Sequence, residues 1–318
     1  MDSTLTQRQR QGRTFGAAAD DYERGRPDWP PAVLDMVMDG LGLTPASTVL
    51  DVAAGTGKLT RLLAARFTRT IAVEPLEPMR RVLAAEVPGV EVRDGTAEQL
   101  PVGEAEVDAI FVAEAFHWFD GAQALAEAAR VLRPGGGIAL LWNRPAGPLE
   151  PALPESARRA IRAAVAAGGE PGGDYTRDAR WREPFAGSVF DTLVHAEVGH
   201  ELVRDHEGLV ANVMSISSIA GLPAADRQAL RARLTALIPP GTYRQPLRAE
   251  VFWARTTVPR WCDRCGEPAR HGNHAACVAA RELEPPRFCP HCRRRMKVQV
   301  LPVGWVAVCV MHGETRHS

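Results

Sequence analysis

Eight thiol and imidazole side chains near the C-terminus fall into four close pairs: Cys262-x2-Cys265, His274-x2-Cys277, Cys289-x2-Cys292 and Cys309-x2-His312. A two-residue gap is turn-sized and lets both side chains converge on one ion; four such donors complete a tetrahedral shell. A local partition puts Cys262, Cys265, His274 and Cys277 in one site and Cys289, Cys292, Cys309 and His312 in the other. Joining the two Cys-x-x-Cys pairs into an all-cysteine set, with Cys277 and Cys309 left over, fits the spacing as well. Thiolate and mixed sites hold structural zinc or an iron–sulfur cluster, and spacing selects neither. All six cysteines lie between Cys262 and Cys309. The opening Met1-Asp2-Ser3-Thr4-Leu5-Thr6-Gln7-Arg8 lacks the apolar core of a signal peptide. This usage therefore predicts metal binding ahead of disulfides, and a cytoplasmic location.

A second constellation begins at Val49-Leu50-Asp51-Val52-Ala53-Ala54-Gly55-Thr56-Gly57-Lys58-Leu59-Thr60, which reads as strand, glycine-containing turn and helix start. Gly55 and Gly57 let backbone approach a ligand, and the following helix offers unpaired N–H groups. Glu74, at the end of the next strand, can accept hydrogen bonds from both hydroxyls of a ribose. A phosphate-binding P-loop would need Gly at 52 and Ser or Thr at 59, where Val52 and Leu59 stand; a dinucleotide fingerprint would want Gly at 53, where Ala53 stands. A tight turn without a ligand is the remaining alternative.

These residues need a scaffold, and the hydrophobic pattern supplies one. The spacing of Val33, Leu34, Val37, Met38 and Leu41 predicts helix over 14–42. Strands follow at 48–53, 70–73, 90–93, 107–113 and 137–142, alternating with helices at 59–67, 79–86 and 122–132; such alternation predicts parallel strands with crossover helices on both faces. After a helix at 154–167 and an irregular loop at 168–174, the order becomes strand (189–203), two helices (206–219 and 224–238) and a closing strand (247–256). The boundary falls near Thr257–Arg260, dividing the chain into 1–257 and 258–318.

With 318 residues and 45% apolar composition the chain can bury a full α/β core. Its 38 basic and 38 acidic residues balance. Residues 260–318 carry ten Lys/Arg against five Asp/Glu, an excess too slight to argue for nucleic acid. No run of about 18 apolar residues is present to span a membrane.

Taken together, Leu50–Thr60, Ile71–Glu77, Asp94–Pro101, Val107–Asp120 and Val131–Asn143 resemble class I S-adenosylmethionine-dependent methyltransferases, with Phe15–Pro27 similar to their N-terminal lid. The resemblance covers roughly 14–257. It implies a Rossmann-like sheet of seven strands with helices on both faces and the last strand antiparallel. It assigns Asp51, Gly55 and Gly57 to the methionine part of the cofactor and Glu74 to its ribose. Thr96, Ala97 and Glu98 would lie beside adenine, and Glu114 near the methionine amino group; Tyr22, Ala53 and Pro75 complete the cofactor set. Ala53 replaces the commonest first glycine, and Thr96 stands where many relatives carry Asp. His117, in His117-Trp118-Phe119, is either a general base or a packing residue shaping the pocket. Arg26 can clamp a carboxylate, which needs no base. Residues 145–220 are expected to form the acceptor pocket, with Asn143 or Arg144 facing it. Trp181, His195, His200, His206 and Met214 read as packing residues.

The tail resembles a second family, the biotin synthase auxiliary proteins. The carrying residues are Trp261–Gly266, His274–Cys277, Leu283–Cys292, Arg294–Val300, Gly304-Trp305, Cys309 and His312-Gly313, over about 260–316. That family is thought to support biotin synthase, a radical iron–sulfur enzyme. The two resemblances together imply methylation of a carboxylate, such as malonyl-acyl carrier protein, with biotin synthase as a partner of the tail. The alternatives are a small-molecule methyltransferase outside biotin synthesis with a structural zinc tail, and a binding protein whose methyltransferase fold is idle. A nucleic-acid acceptor is disfavoured, because the aromatic-and-proline motif for base amino groups is missing.

Overall fold

The structure, a computed structural model, describes residues 19–147, 153–168, 179–257, 259, 261–269, 272–281 and 284–317. The predicted helix over 14–42 is two helices, α1 (Ala19–Gly25) and α2 (Pro31–Leu41); residues 14–18 lie outside the described residues. Pro27 and Pro30 lack the N–H a continuous helix would need there, and Pro31 opens α2 where that loss costs nothing.

The strands are β1 (Thr48–Val52), β2 (Arg69–Val73), β3 (Glu91–Arg93), β4 (Val107–Ala113), β5 (Leu132–Pro145), β6 (Val194–Asp205) and β7 (Thr242–Arg255). Helices α3 (Lys58–Ala64), α4 (Glu77–Glu86) and α5 (Gly121–Val131) make the crossovers. Among the described residues they form a seven-stranded sheet in the order β3-β2-β1-β4-β5-β7-β6. β1 pairs in parallel with β2 and with β4, so the winding reverses between β1 and β4. A crevice for a ligand belongs at the strand C-termini there. β7 is antiparallel to both β5 and β6, as the resemblance implied.

Alternate residues feed two layers. Val49 of β1 joins Leu34 and Val37 of α2 and Leu59 and Leu63 of α3 on one face. Leu50 and Val52 join Leu125 and Val131 of α5, with Trp142, Trp181 and Phe185, on the other. A third cluster unites α6 (Glu155–Ala167), α7 (His206–Met214), α8 (Ser217–Ala220) and α9 (Ala224–Leu237).

Several boundaries differ from expectation. β6 starts at Val194 rather than 189, and Phe190 makes an isolated bridge to Thr256 ahead of it. β7 starts at Thr242 rather than 247, since Thr242 still pairs with Asp205; Pro246 lies beyond the last β5 pair, Pro145 with Leu247, where its missing N–H leaves no ladder bond unmade. β5 runs on both sides of 137–142, and Ser215 and Ile216 separate α7 from α8. The predicted loop beyond Gly168 lies outside the described residues. In the tail, helix α10 (Ala275–Ala280) precedes a three-stranded antiparallel sheet of β8 (Lys297–Val300), β9 (Trp305–Cys309) and β10 (Gly313–His317). No described helix is long and apolar enough to cross a membrane.

Candidate functional site

The turn after β1 is built from left-handed backbone: φ is +56° at Ala53, +59° at Gly55 and +94° at Gly57. A Cβ at Gly57 would stand 3.0 Å from Leu83 and 3.1 Å from Val87, so this glycine lets the start of α3 settle on α4. Ala53 adopts the same hand with a side chain attached, at a cost of roughly 1 kcal/mol. The bend brings the Gly55 N–H to Glu74 Oε2 at 2.9 Å, while the Leu76 N–H donates to Glu74 Oε1 at 2.9 Å. Turn and acid therefore face one another, and burial pushes the Glu74 carboxyl up against the pull of these two donors.

Beside them a cavity of about 180 Å³ opens at the strand C-termini. Asp51 of β1 lines it and is 1% exposed. Its Oδ2 accepts a 2.6 Å bond from the Thr60 hydroxyl, whereas the buried Oδ1 has no protein partner. Burial, reinforced by Glu74 and opposed by Thr60, raises the Asp51 carboxyl to about 7. A buried acceptor without a partner is what an ammonium or hydroxyl donor of a bound nucleoside would satisfy. Ala113 and Glu114 line the wall at the end of β4, and Asn143 at the end of β5. Glu114 (φ +55°) accepts from the Asn143 N–H at 2.6 Å; burial raises its carboxyl, opposed by that bond and by Arg26 and Arg144.

Helix α1 covers the cavity. Burial pushes the Tyr22 phenol up to about 12, with Arg26 opposing. Arg26 lies 5.5 Å from the Tyr22 ring and donates to Ser215 through Nε (2.9 Å to Oγ) and Nη2 (3.0 Å to O). Ion pairs from Asp21 to Arg227 and Arg231 fasten α1 to α9. A Cβ at Gly25 would stand 2.1 Å from the Asn212 nitrogen, so α1 sits directly on the backbone of α7.

Of the predicted cofactor and catalytic residues, Tyr22, Arg26, Asp51, Ala53, Gly55 and Glu114 share this cavity. Gly57, Glu74, Pro75, Thr96, Ala97 and Glu98 are not among the described residues lining it. Glu98 instead accepts from the Asp120 N–H at 2.9 Å, and Ala97 is buried. His117 is also outside the lining. It is 7% exposed, its Nδ1 accepts from the Trp142 indole at 3.3 Å, and its ring lies 4.7 Å from Trp118. This is the packing arrangement of the two weighed for it. His195 stacks on Phe252, and His200 meets Asn143 Oδ1 at 2.6 Å. Sequence reasoning missed Lys58, Arg204, Asn212 and Gln245, which also line the cavity. Arg204 reads as solvent-facing by its charge, yet it falls in phase with Ala196, Val198, His200 and Leu202 on the inward face of β6, a period-2 signal that could have found it.

In the tail, the donor atoms of Cys262, Cys265, His274 and Cys277 lie within 4.8 Å of one another, and so do those of Cys289, Cys292, Cys309 and His312. Cys292 and Cys309 sulfurs are 3.6 Å apart, and His312 Nδ1 is 3.5 Å from Cys289 Sγ and 3.6 Å from Cys309 Sγ. Zn–S bonds of about 2.3 Å put tetrahedral ligands about 3.8 Å apart, so each group fits the shell of a single ion. His274 turns Nε2 to the Pro268 carbonyl at 3.0 Å, leaving Nδ1, 3.6 Å from Cys265 Sγ, for a metal.

Comparison with known proteins agrees with both halves of this geometry. A family model described as "Methyltransferase domain" matches residues 50–140, and the biotin synthase auxiliary protein family matches 296–318. An uncharacterized methyltransferase-like protein of Schizosaccharomyces pombe is 30% identical over 231 residues, 70% of this chain and 84% of the relative. An uncharacterized methyltransferase of Mycobacterium tuberculosis is 47% identical over 130 residues, 41% of this chain and 52% of the relative. A malonyl-[acyl-carrier protein] O-methyltransferase of Methylococcus capsulatus is 39% identical over 137 residues, 40% of this chain and 49% of the relative. The chain thus spans about half the length of the first curated relatives it matches.

Proposed function

The chain belongs to the class I S-adenosylmethionine-dependent methyltransferase family, and from that premise we propose that residues 1–257 methylate a carboxylate, with malonyl-acyl carrier protein as the leading acceptor, while residues 258–318 form a metal module that assists biotin synthase. The observation that carries the reading is the cavity between the Gly55–Glu74 contact and Arg26, with an unsatisfied buried oxygen of Asp51 on its wall. The name of the Methylococcus relative supports the acceptor, and the auxiliary-protein match supports the tail's role.

Asp51, Ala53, Gly55 and Glu114 would hold the methionine end of the cofactor, and Glu74 would receive the ribose at the edge of the cavity. S-adenosylmethionine, when bound there, would supply an already activated methyl group, for which a carboxylate acceptor needs no proton removed. The chain's own task is therefore alignment and exclusion of water, effects worth about 7–11 kcal/mol when reacting atoms are well placed. Tyr22 and Arg26 cover the reacting space, and Arg26 would orient the anionic acceptor. His117 need not act as a base on this route, in keeping with its place against Trp142.

For the tail, the close donor separations favour two mononuclear, zinc-type sites over a polynuclear cluster. Methyl-ester formation on malonyl-acyl carrier protein tests the enzyme; complementation of biotin auxotrophs lacking either activity tests the pathway. Failure in both backgrounds would remove biotin synthesis and leave cofactor binding standing. Metal content after anaerobic purification tests the tail, with about two zinc ions per chain expected.

A further inference from the structure

One wall of the cavity carries a charge with no counter-ion among the described residues. Arg204, at the end of β6, is 7% exposed. Its Nη2 donates to Gln245 Oε1 at 2.6 Å, its Nη1 reaches the Gly25 carbonyl at 3.5 Å, and its buried Nε has no partner. Among the described residues no carboxylate lies within ion-pair distance of Arg204 or of Arg26. Arg130 shows what a structural arginine looks like in this chain: its three nitrogens reach Glu127 and the carbonyls of Val102 and Leu100. Burial, and then the nearby Arg26, pull Arg204 down to about 10. A buried cation without a partner costs several kcal/mol and is tolerable where a ligand brings the balancing charge.

We propose that Arg204, with Arg26 beside it, forms the anion end of the acceptor site and clamps a carboxylate of the methyl acceptor. This rests on the methyl-transfer reading above. The alternative anion is the carboxylate of the cofactor's own methionine. Strand order argues for the acceptor: β6 is four places from β1, about 19 Å at ~4.8 Å per strand, so Arg204 enters from the side opposite the Gly55 turn. Leu202 and Leu247 line the same cavity, adding apolar surface that lowers the screening of a charge pair there.

The test uses malonate as the carboxylate probe, titrated calorimetrically into the full chain saturated with S-adenosylhomocysteine. Arg204→Gln is expected to weaken malonate about tenfold or more and to leave S-adenosylhomocysteine affinity within about twofold, with Arg204→Lys between wild type and Arg204→Gln. Because Arg204 also supports the lid, Gln245→Glu serves as a second variant. It places an internal carboxylate beside Nη2 and should reduce malonate affinity by a similar factor without loss of thermal stability. Unchanged malonate affinity in both Arg204→Gln and Gln245→Glu, or no malonate binding to a wild-type protein that does bind S-adenosylhomocysteine, overturns the clamp alone. An equal loss of S-adenosylhomocysteine affinity in Arg204→Gln reassigns the arginine to the cofactor. A wild-type chain without saturable S-adenosylhomocysteine binding removes the methyltransferase reading and the clamp together.

Discussion

In the seven-stranded region Val49, Leu50, Ile71, Leu140 and Trp142 are each at most 1% exposed, whereas β8 and β10 of the tail are exposed at every position and α10 buries no residue. Among the tail's described apolar and thiol side chains, those buried are Pro286, Ala307, Cys262, Cys289 and Cys309. The sheet is held by apolar contact between layers, with the cavity lying at the C-terminal ends of its strands. In the tail the interior consists largely of the ligand atoms themselves. On the proposed reading, a segment of roughly 60 residues with so little apolar interior would draw its folding energy from a bound ion.

Metal removal should break the comparison open most widely. Chelation, or Cys289→Ala combined with Cys262→Ala, is expected to abolish amide protection across 261–317 while S-adenosylhomocysteine affinity and protection in β1, β4 and β5 are retained. Apparent binding energies of about 10–16 kcal/mol for structural zinc set the scale. Loss of protection in both regions would mean that they are one cooperative unit.

A smaller effect sharpens the other side. The Asp51 carboxyl is raised to about 7 in the folded chain from an ordinary value near 3.8. The folded state thus binds a proton that the unfolded state has already released. The resulting stability is complete below the ordinary value and is lost as pH rises through the folded one, by at most about 1.4 kcal/mol per unit. Relative to Asp51→Asn, the wild-type sheet region should lose a few kcal/mol in denaturant melts between pH 4 and 7, while tail protection changes equally in both proteins. Parallel curves for the two would refute the assignment.

The smallest expected change lies in the turn. Ala53→Gly removes the strain of a left-handed alanine and should stabilise the sheet region by about 0.5–1 kcal/mol. A destabilisation would mean that the alanine methyl contributes packing worth more than the strain.

How much of this was legible depended on whether chemistry and pattern sat in one stretch of chain. The Gly55 turn, Glu74 and the paired cysteines each carry their signal within a few residues, and the structure brings each set together. Of the two partitions open by spacing, the local one matches the two groups in which the donor atoms come together. Position 204 was missed because an arginine reads as solvent-facing by residue type, although alternation along β6 puts it in phase with Ala196, Val198 and Leu202; the lid helix and β7, from opposite ends of the domain, bury it. The single helix over 14–42 failed because the apolar spacing of 33–41 was extended back across Pro27 and Pro30, where the backbone bonding cannot continue.

β7 also bears on synthesis. It is the last strand of the large sheet to leave the ribosome, yet it slots between two strands made earlier. A nascent chain stalled near residue 240 would possess the Gly55 bend and the lid but neither Gln245 nor any neighbour for β6, which would stand as a bare, sticky edge. Leu247, the last described residue lining the pocket, is made ahead of Cys262, the first cysteine of the chain, and a product truncated before β7 should be prone to aggregation rather than partly active.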